Sequence, residues 1–146
     1  MRFLLDTNVV SEPASRFPDA RVLEWLSAQD SEAMYVSAVT LAEIEEGIAR
    51  LPQSRRRTQL ENWRDELIDA VGARLLAVDA RVGMAWGVVR ARLGRHNHTI
   101  APLDGFIAAT AEVHDMTVVT RNVRHFRAWG GRVLNPWQDV AVTRSF

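Results

Sequence analysis

The stretch Arg2-Phe3-Leu4-Leu5-Asp6-Thr7-Asn8-Val9-Val10 decides how the rest of the chain is read. A short apolar run stops abruptly on a carboxylate. Two more polar residues follow, and the chain turns apolar again. Three or four apolar residues bounded by a polar cluster predict a buried strand followed by a turn. Such a strand belongs in the middle of a sheet, with Asp6 at its carboxyl end, the edge at which open α/β sheets bind ligands. Asp, Thr and Asn also shape turns and cap short helices, so the stretch by itself leaves a purely structural role for Asp6 open.

Outward from this stretch, the same pattern repeats. Pro18-Asp19 announces a helix carrying Val22, Leu23 and Leu26, with Trp25 beside them. Met34-Tyr35-Val36-Ser37 reads as a second short strand. A helix is predicted from about Val39 to Leu51, its core face marked by Leu41, Ile44, Ile48 and Leu51. After Pro52 a second helical stretch runs from Gln53 to Gly72, with Leu60, Trp63, Leu67, Ile68 and Val71 as its apolar stripe. The two predict an αα-hairpin that projects beside the sheet. Arg55-Arg56-Arg57 at the start of the second would oppose the helix dipole, which places the run in the connection. A third strand is predicted at Arg74 to Val78, then a helix capped by Asp79 and running to about Arg95, with Val82, Trp86, Val89 and Leu93 inward. His96 and His98 fall in a polar loop. A helix from about Asp104 to His114 carries small residues that let it lie close on a sheet. A fourth strand follows at Met116 to Thr120, a single helical turn from Val123 to Ala128, and a fifth strand or edge segment at Arg132 to Leu134.

Strands that alternate with helices, each short and apolar, predict an α/β fold: a central parallel sheet of about five strands covered on both faces. The chain of 146 residues has the length of one domain, and no repeat or linker divides it. Eighteen basic residues balance eighteen acidic ones, so net charge argues neither for nor against a polyanionic partner. Their distribution is uneven. Residues 1–73 hold 8 Arg and 13 acids, and residues 74–146 hold 10 Arg and 5 acids. An acidic cluster beside a basic half is compatible with a metal site next to a phosphate-binding surface. Every basic residue is Arg, which excludes any mechanism that needs Lys. The absence of Cys excludes a disulfide framework, a thiolate nucleophile and a Cys-bound zinc. Asp6 interrupts the first apolar run too early for a signal peptide, and no apolar stretch approaches membrane-spanning length. The expectation is a cytoplasmic protein with no membrane contact.

In a parallel sheet with helical crossovers, all strand carboxyl ends share one edge, and the helices that follow them begin there. Asp6 ends the first strand. Glu43 lies in the first turns of the helix after the second. Asp104 opens the helix before the fourth, and Asn122 follows the fourth. Glu45 and Glu46 stand close to Glu43, and periodicity does not settle which of the three points inward. Three carboxylates within a few ångströms repel, each pair by about 4 kcal/mol at 4 Å and an effective dielectric near 20. Such a cluster holds a proton or a cation. With oxygen donors alone, the natural cation is Mg2+ or Mn2+, and the natural chemistry is metal-assisted hydrolysis of a phosphodiester. Haloacid-dehalogenase-type phosphatases share an Asp at the first strand end, but Asn8 stands where they have a second Asp. A response-regulator receiver needs a Lys and an acidic pair that this chain lacks. No Walker loop or dinucleotide fingerprint occurs.

Five motifs then carry a resemblance. Leu4-Leu5-Asp6-Thr7-Asn8-Val9, Ser37 to Ile44, Asp104 to Ala111, Val118-Val119-Thr120-Arg121-Asn122 and Leu134-Asn135-Pro136-Trp137 resemble PIN-domain ribonucleases, and among them the VapC/FitB-type toxins of bacterial toxin–antitoxin pairs. The likeness runs in order along nearly the whole chain. It implies one PIN domain spanning 1–146, a three-layer α/β/α fold, commonly dimeric. It implies that Asp6, Glu43 and Asp104 are the metal-binding and catalytic acids, that Thr120 supports the fourth position and that Asn8 positions Asp6. The implied activity is Mg2+- or Mn2+-dependent cleavage of RNA, often tRNA or rRNA. The implied partner is a VapB-type antitoxin that covers the active site and carries the pair to operator DNA. One departure stands out. Asn122 occupies the position where the family often has its fourth acid, and His125 the nearby position where some members carry Asp. Asn122 is therefore a catalytic-site residue without charge, and a second metal would be held more weakly. The competing expectation is a PIN module of weak or no activity that acts through its partner. Arg121, Arg124 and the Arg92–Arg95 region are the candidates for RNA phosphates, with structural ion pairing as the alternative for each.

Overall fold

The computed structural model describes residues 1–138. Within them lie five short strands, β1 (Phe3–Leu5), β2 (Met34–Ser37), β3 (Leu75–Leu76), β4 (Thr117–Val119) and β5 (Val133–Leu134). The helices are α1 (Thr7–Val10), α2 (Ala20–Ala28), α3 (Ala38–Ala49), α4 (Arg55–Val71), α5 (Ala80–Arg95), α6 (Pro102–His114) and α7 (Val123–Phe126). The strands form one sheet in the order β3-β2-β1-β4-β5, and every pairing is parallel. β1 is central, as its uninterrupted apolar run requires, and all three of its residues are buried.

Strand alternation sorts the core into two layers even though both faces are covered. Phe3, Leu5 and Val119 point into one layer with Val9, Val22, Ile44, Ile48 and Val71. Leu4 and Val118 point into the other with Val82, Trp86, Val89, Leu93 and Ile107. The expected three-layer α/β/α arrangement with a parallel five-stranded sheet is thus present.

Several local expectations change. The third strand shrinks to Leu75–Leu76, because only Val36 and Ser37 of the neighbouring strand pair with it. On α3 the buried positions are Val39, Thr40, Ile44 and Ile48, while Leu41 and Leu51 are only half-buried. The α3–α4 pair does not project from the sheet: Leu60, Trp63 and Leu67 of α4 pack into the first core layer. Nor does the triple arginine sit in the connection. Ser54 caps α4 by accepting from the Arg57 amide, so all three arginines lie in its first turn. The unfavourable dipole position is offset by local partners. Arg57 donates to the Leu51 carbonyl and pairs with Glu61, and Arg56 donates to the Ala14 carbonyl.

One close approach seats the helix that carries Asp104. The Trp86 ring of α5 packs so tightly on Gly105 that a Cβ there would fall 2.3 Å from the ring. Gly→Ala ordinarily strengthens a helix interior by about 1 kcal/mol. Here the far end of the buried Trp86 ring would have to shift, and overpacking of about 1–3 kcal/mol opposes that gain. Gly105→Ala is therefore expected to destabilise the chain, read as a lower urea midpoint at constant slope. A raised midpoint would show that Trp86 yields freely.

Candidate functional site

Asp6 sits where β1 ends. Its amide continues the ladder by donating to the Val119 carbonyl of β4, and its side chain then caps α1. The residue is only 5% exposed. Oδ1 accepts from the Thr7 amide at 2.8 Å, and Oδ2 accepts from the Thr120 hydroxyl at 2.8 Å. Asn8 Nδ2 approaches Oδ2 at 3.4 Å. The helix-capping role and the cleft position are therefore held by the same side chain, one oxygen facing α1 and the other facing β4.

Thr7 reaches across to the second acid, its hydroxyl donating to Glu43 Oε1 at 2.8 Å. This resolves the choice among the three glutamates of α3. Glu45 is drawn away by Arg64 of α4 at 2.6 Å, and Glu46 by Arg50 at 2.7 Å. The third acid, Asp104, lies in the first turn of α6, with Oδ2 3.1 Å from His125 Nδ1. Asp6, Glu43, Asp104, Asn122 and His125 line one cleft of about 430 Å3 at the carboxyl edge of the sheet. Asn122 enters it by its position between β4 and α7, with its amide donating to the Thr120 hydroxyl at 3.0 Å.

A model of the family described as PIN domain matches residues 3–130. The chain belongs to the PIN-domain family. It is 39% identical to the toxin FitB of Neisseria gonorrhoeae over 137 residues, which cover 93% of this chain and 99% of that protein. It is 38% identical to the VapC ribonuclease Y4jK of Sinorhizobium fredii over 138 residues, 94% of this chain and 99% of that protein. Among solved structures, FitAB bound to an IR36 DNA fragment aligns with a TM-score of 0.88 at 38% identity, covering 93% of this chain and 96% of the other. The motif resemblance to VapC/FitB-type PIN proteins is borne out.

Each of the four residues singled out in the sequence of this PIN domain, Asp6, Glu43, Asp104 and Asn122, reaches the same cleft. Two contacts go beyond what the sequence indicates. Thr7 bridges the first two acids, and His125 faces the third. The motif resemblance marks the position of His125, but nothing in the sequence pairs it with Asp104. Among the arginines, Arg121 stands beside the cleft, with its amide held by Asn8 Oδ1 at 3.0 Å and its guanidinium over the Trp137 ring at 5.3 Å. Arg92 is elsewhere. It bonds Glu112 and the Trp129 carbonyl and lines a pocket with Asp115 and Met116, at the amino end of β4.

The electrostatics of the cleft are unfavourable as it stands. Burial pushes the Glu43 carboxyl above its ordinary value, the charges of Asp6 and Asp104 add to the shift, and the Thr7 bond opposes it. Burial and the charge of Asp6 likewise push Asp104 up, against the pull of His125. The acidic donors are all carboxylate oxygens, which suits a hard divalent cation. Among the described residues no three acidic or His side chains are already drawn around one point. An ion here would complete its shell with water, as Mg2+ ordinarily does.

The raised Glu43 fixes the sign of a pH effect. A carboxyl whose folded-state pKa exceeds its unfolded value stabilises the fold at low pH, and that contribution is lost as pH rises through the folded-state value. Glu43→Gln keeps an acceptor for Thr7 and removes the charge. In the presence of a chelator, the variant is expected to melt above the wild type at about pH 7–8, with the difference vanishing below about pH 4, where carboxyls are protonated. A variant less stable at neutral pH would place the Thr7 bond above the cost of burial.

Proposed function

We propose that this PIN domain is a metal-dependent endoribonuclease and the toxin of a VapBC-type toxin–antitoxin pair. The observation that carries the reading is the meeting of Asp6, Glu43 and Asp104 in one cleft. The three acids come from the ends or first turns of separate elements. A fold needs no such arrangement for stability, since Asp6 and Asp104 raise the cost of charging Glu43, and Asp6 that of charging Asp104. The names of the similar proteins, a VapC ribonuclease and the toxin FitB, supply the class of reaction.

In this reading Asp6, Glu43 and Asp104 hold Mg2+ or Mn2+, directly or through water. Such an ion, when bound, would lower the pKa of a coordinated water and offset charge on the phosphoryl oxygens. The remaining work falls to side chains. Thr120 and the Thr7 amide fix both oxygens of Asp6, so the carboxylate is preorganised. Glu43 Oε1 is occupied by Thr7, which leaves Oε2 to orient the attacking water and accept its proton. Asn122 offers an amide without charge, which favours one tightly held ion over two. The substrate is RNA, in the tRNA or rRNA class that the family resemblance implies. A VapB-type antitoxin covers the cleft and mediates operator DNA binding, a reading supported by the DNA-bound FitAB structure. A homodimer and a cytoplasmic location complete the proposal; among the described residues no helix is long and apolar enough to cross a membrane.

The test is cleavage of RNA by purified, antitoxin-free chain with Mg2+ or Mn2+. Asp6→Asn is expected to reduce cleavage by at least about 100-fold, beyond the usual effect of an outer-sphere change. No cleavage by the wild type, with Asp6→Asn behaving identically in cells, would favour the inactive-module reading prompted by Asn122. Turnover of small phosphate esters instead of RNA would point to a phosphatase.

Thr120→Val separates positioning from ligation. The change is nearly isosteric and removes the hydroxyl that serves Asp6 and the Asn122 amide. Metal affinity and kcat are expected to fall about 10- to 100-fold, with thermal unfolding still cooperative. Unaltered metal affinity would show that Asp6 is held well enough by Thr7 and Asn8.

A further inference from the structure

The buried hydroxyls of this chain have partners, with one exception. Thr120 donates to Asp6, and Thr110 donates to the Phe106 carbonyl four residues back on α6. Thr117 accepts from Arg132, and Ser37 accepts from the Val39 amide where it caps α3. Thr40 is fully buried as well, yet its Oγ1 has no hydrogen-bond partner among the described residues. A buried hydroxyl left unpaired costs stability, and a valine of the same shape would escape that cost.

Thr40 stands in the first turn of α3, where that helix leaves the carboxyl edge of the sheet. The outlet that Thr110 uses, the carbonyl one turn back, is not a helical one here. Four residues before Thr40 is Val36, a strand residue in register with Leu75 of β3. Glu43 lies three residues on, the spacing that puts two side chains on one helix face. Helical side chains lean towards the helix N-terminus, so Glu43 leans back over the turn that holds Thr40. The helices packed on α3 include α1 and α6, which carry Thr7 and Asp104. Thr40 is therefore beneath the acidic cleft and sealed from it. Support of the acids is uneven. Both oxygens of Asp6 are held, one by the Thr7 amide and the other by Thr120. Glu43 is held at Oε1 alone, by Thr7, and among the described residues Oε2 has no hydrogen bond.

We propose that Thr40 is a positioning residue for Glu43, its hydroxyl donating to Oε2, directly or through one buried water, once a divalent cation draws that carboxylate into place. The proposal rests on the metal-dependent reading of the cleft. No three acidic or His side chains are drawn around one point among the described residues, so holding a cation requires the acids to turn. The backbone of α3 is fixed by Ile44 and Ile48 in the core, which leaves the turning to the Glu43 side chain. Thr40 is the stationary donor beneath it. A hydroxyl with no outlet in the chain by itself then gains one on loading, and Glu43 acquires the buried-threonine support that Asp6 has from Thr120. Because Thr40 is sealed from the cleft, it touches neither substrate nor cation and acts through Glu43 only.

The experiment uses the full, antitoxin-free chain as wild type, Thr40→Val and Thr40→Ser. Thermal unfolding is followed in chelator, and Mn2+ is titrated calorimetrically. Threonine and valine have close helix propensities, so Thr40→Val reads the hydroxyl. In chelator the valine variant is expected to melt at or above the wild type, because no bond is lost. Its Mn2+ Kd is expected to rise about tenfold, while Thr40→Ser, which keeps the hydroxyl, stays within about threefold of the wild type. A gain or no change in stability together with a loss of metal affinity is the signature, since a merely structural threonine would lose both. In a Glu43→Ala background Thr40→Val is expected to leave Kd within about twofold; an undiminished loss there would overturn Glu43 as the group served. A lower melting point for Thr40→Val in chelator would show the hydroxyl already bonded within the chain and overturn the proposal. Equal Mn2+ affinity in wild type and Thr40→Val would overturn it too, with the metal reading intact. A wild type that binds no Mn2+ would refute the metal reading and the proposal with it.

Discussion

A buried carboxylate without an arginine beside it holds this site together. Asp6 is almost sealed from solvent, and burying a charge is tolerated only when its lone pairs are filled. The bonds that fill them connect elements distant in sequence. The Thr7 amide belongs to the helix that Asp6 caps, and the Thr120 hydroxyl belongs to the end of the neighbouring strand. Thr120 in turn receives the Asn122 amide, and Asn8 receives the Arg121 amide. One charged group thereby sets the path of both chain segments that leave the central strands. Hydrogen bonds to a charged acceptor contribute about 1.5–3 kcal/mol each, enough to define the turn after β4 without regular structure.

The same arrangement explains why the cleft residues are rigid in direction though they lie on short elements. α1 and α7 have four residues each, too few to be stable helices by themselves. Both are pinned from below: Val9 and Val10 by the first core layer, Phe126 by the second. Both are pinned from above by the Asp6–Thr120 bond and its neighbours. Asp104 is fixed by a different means, the fit of Trp86 onto Gly105 one residue later. The three acids therefore depend on three separate supports: a hydrogen-bond knot, a threonine bridge and a steric fit.

Much of this is legible in the sequence, for reasons that differ residue by residue. The central strand announces itself because a strand covered on both faces must be apolar throughout and must end where polarity returns. Once the sheet is read as parallel, Asp6, Asp104 and Asn122 fall to one edge by topology alone. Periodicity cannot choose Glu43 over Glu45 and Glu46, because the choice is made by Arg64, a residue of another helix, and by Arg50 one turn away. The triple arginine departs from its expected place for a related reason. The dipole argument is local, whereas the Leu51 and Ala14 carbonyls that accommodate Arg57 and Arg56 come from outside the helix. His125 against Asp104 is likewise a contact between distant segments that no spacing rule encodes.

The acids of this chain differ in whether an arginine stands beside them. Eighteen arginines are available, and carboxylates as exposed as Glu32, Glu46 and Asp115 have acquired one. The three acids of the cleft, where burial makes an unpaired charge most costly, have none among the described residues; only His125 approaches, and only Asp104. An internal guanidinium would relieve the repulsion that pushes Glu43 and Asp104 up, and it would also occupy the lone pairs for good. Leaving them unpaired keeps part of the folding energy tied to whatever cation arrives from outside.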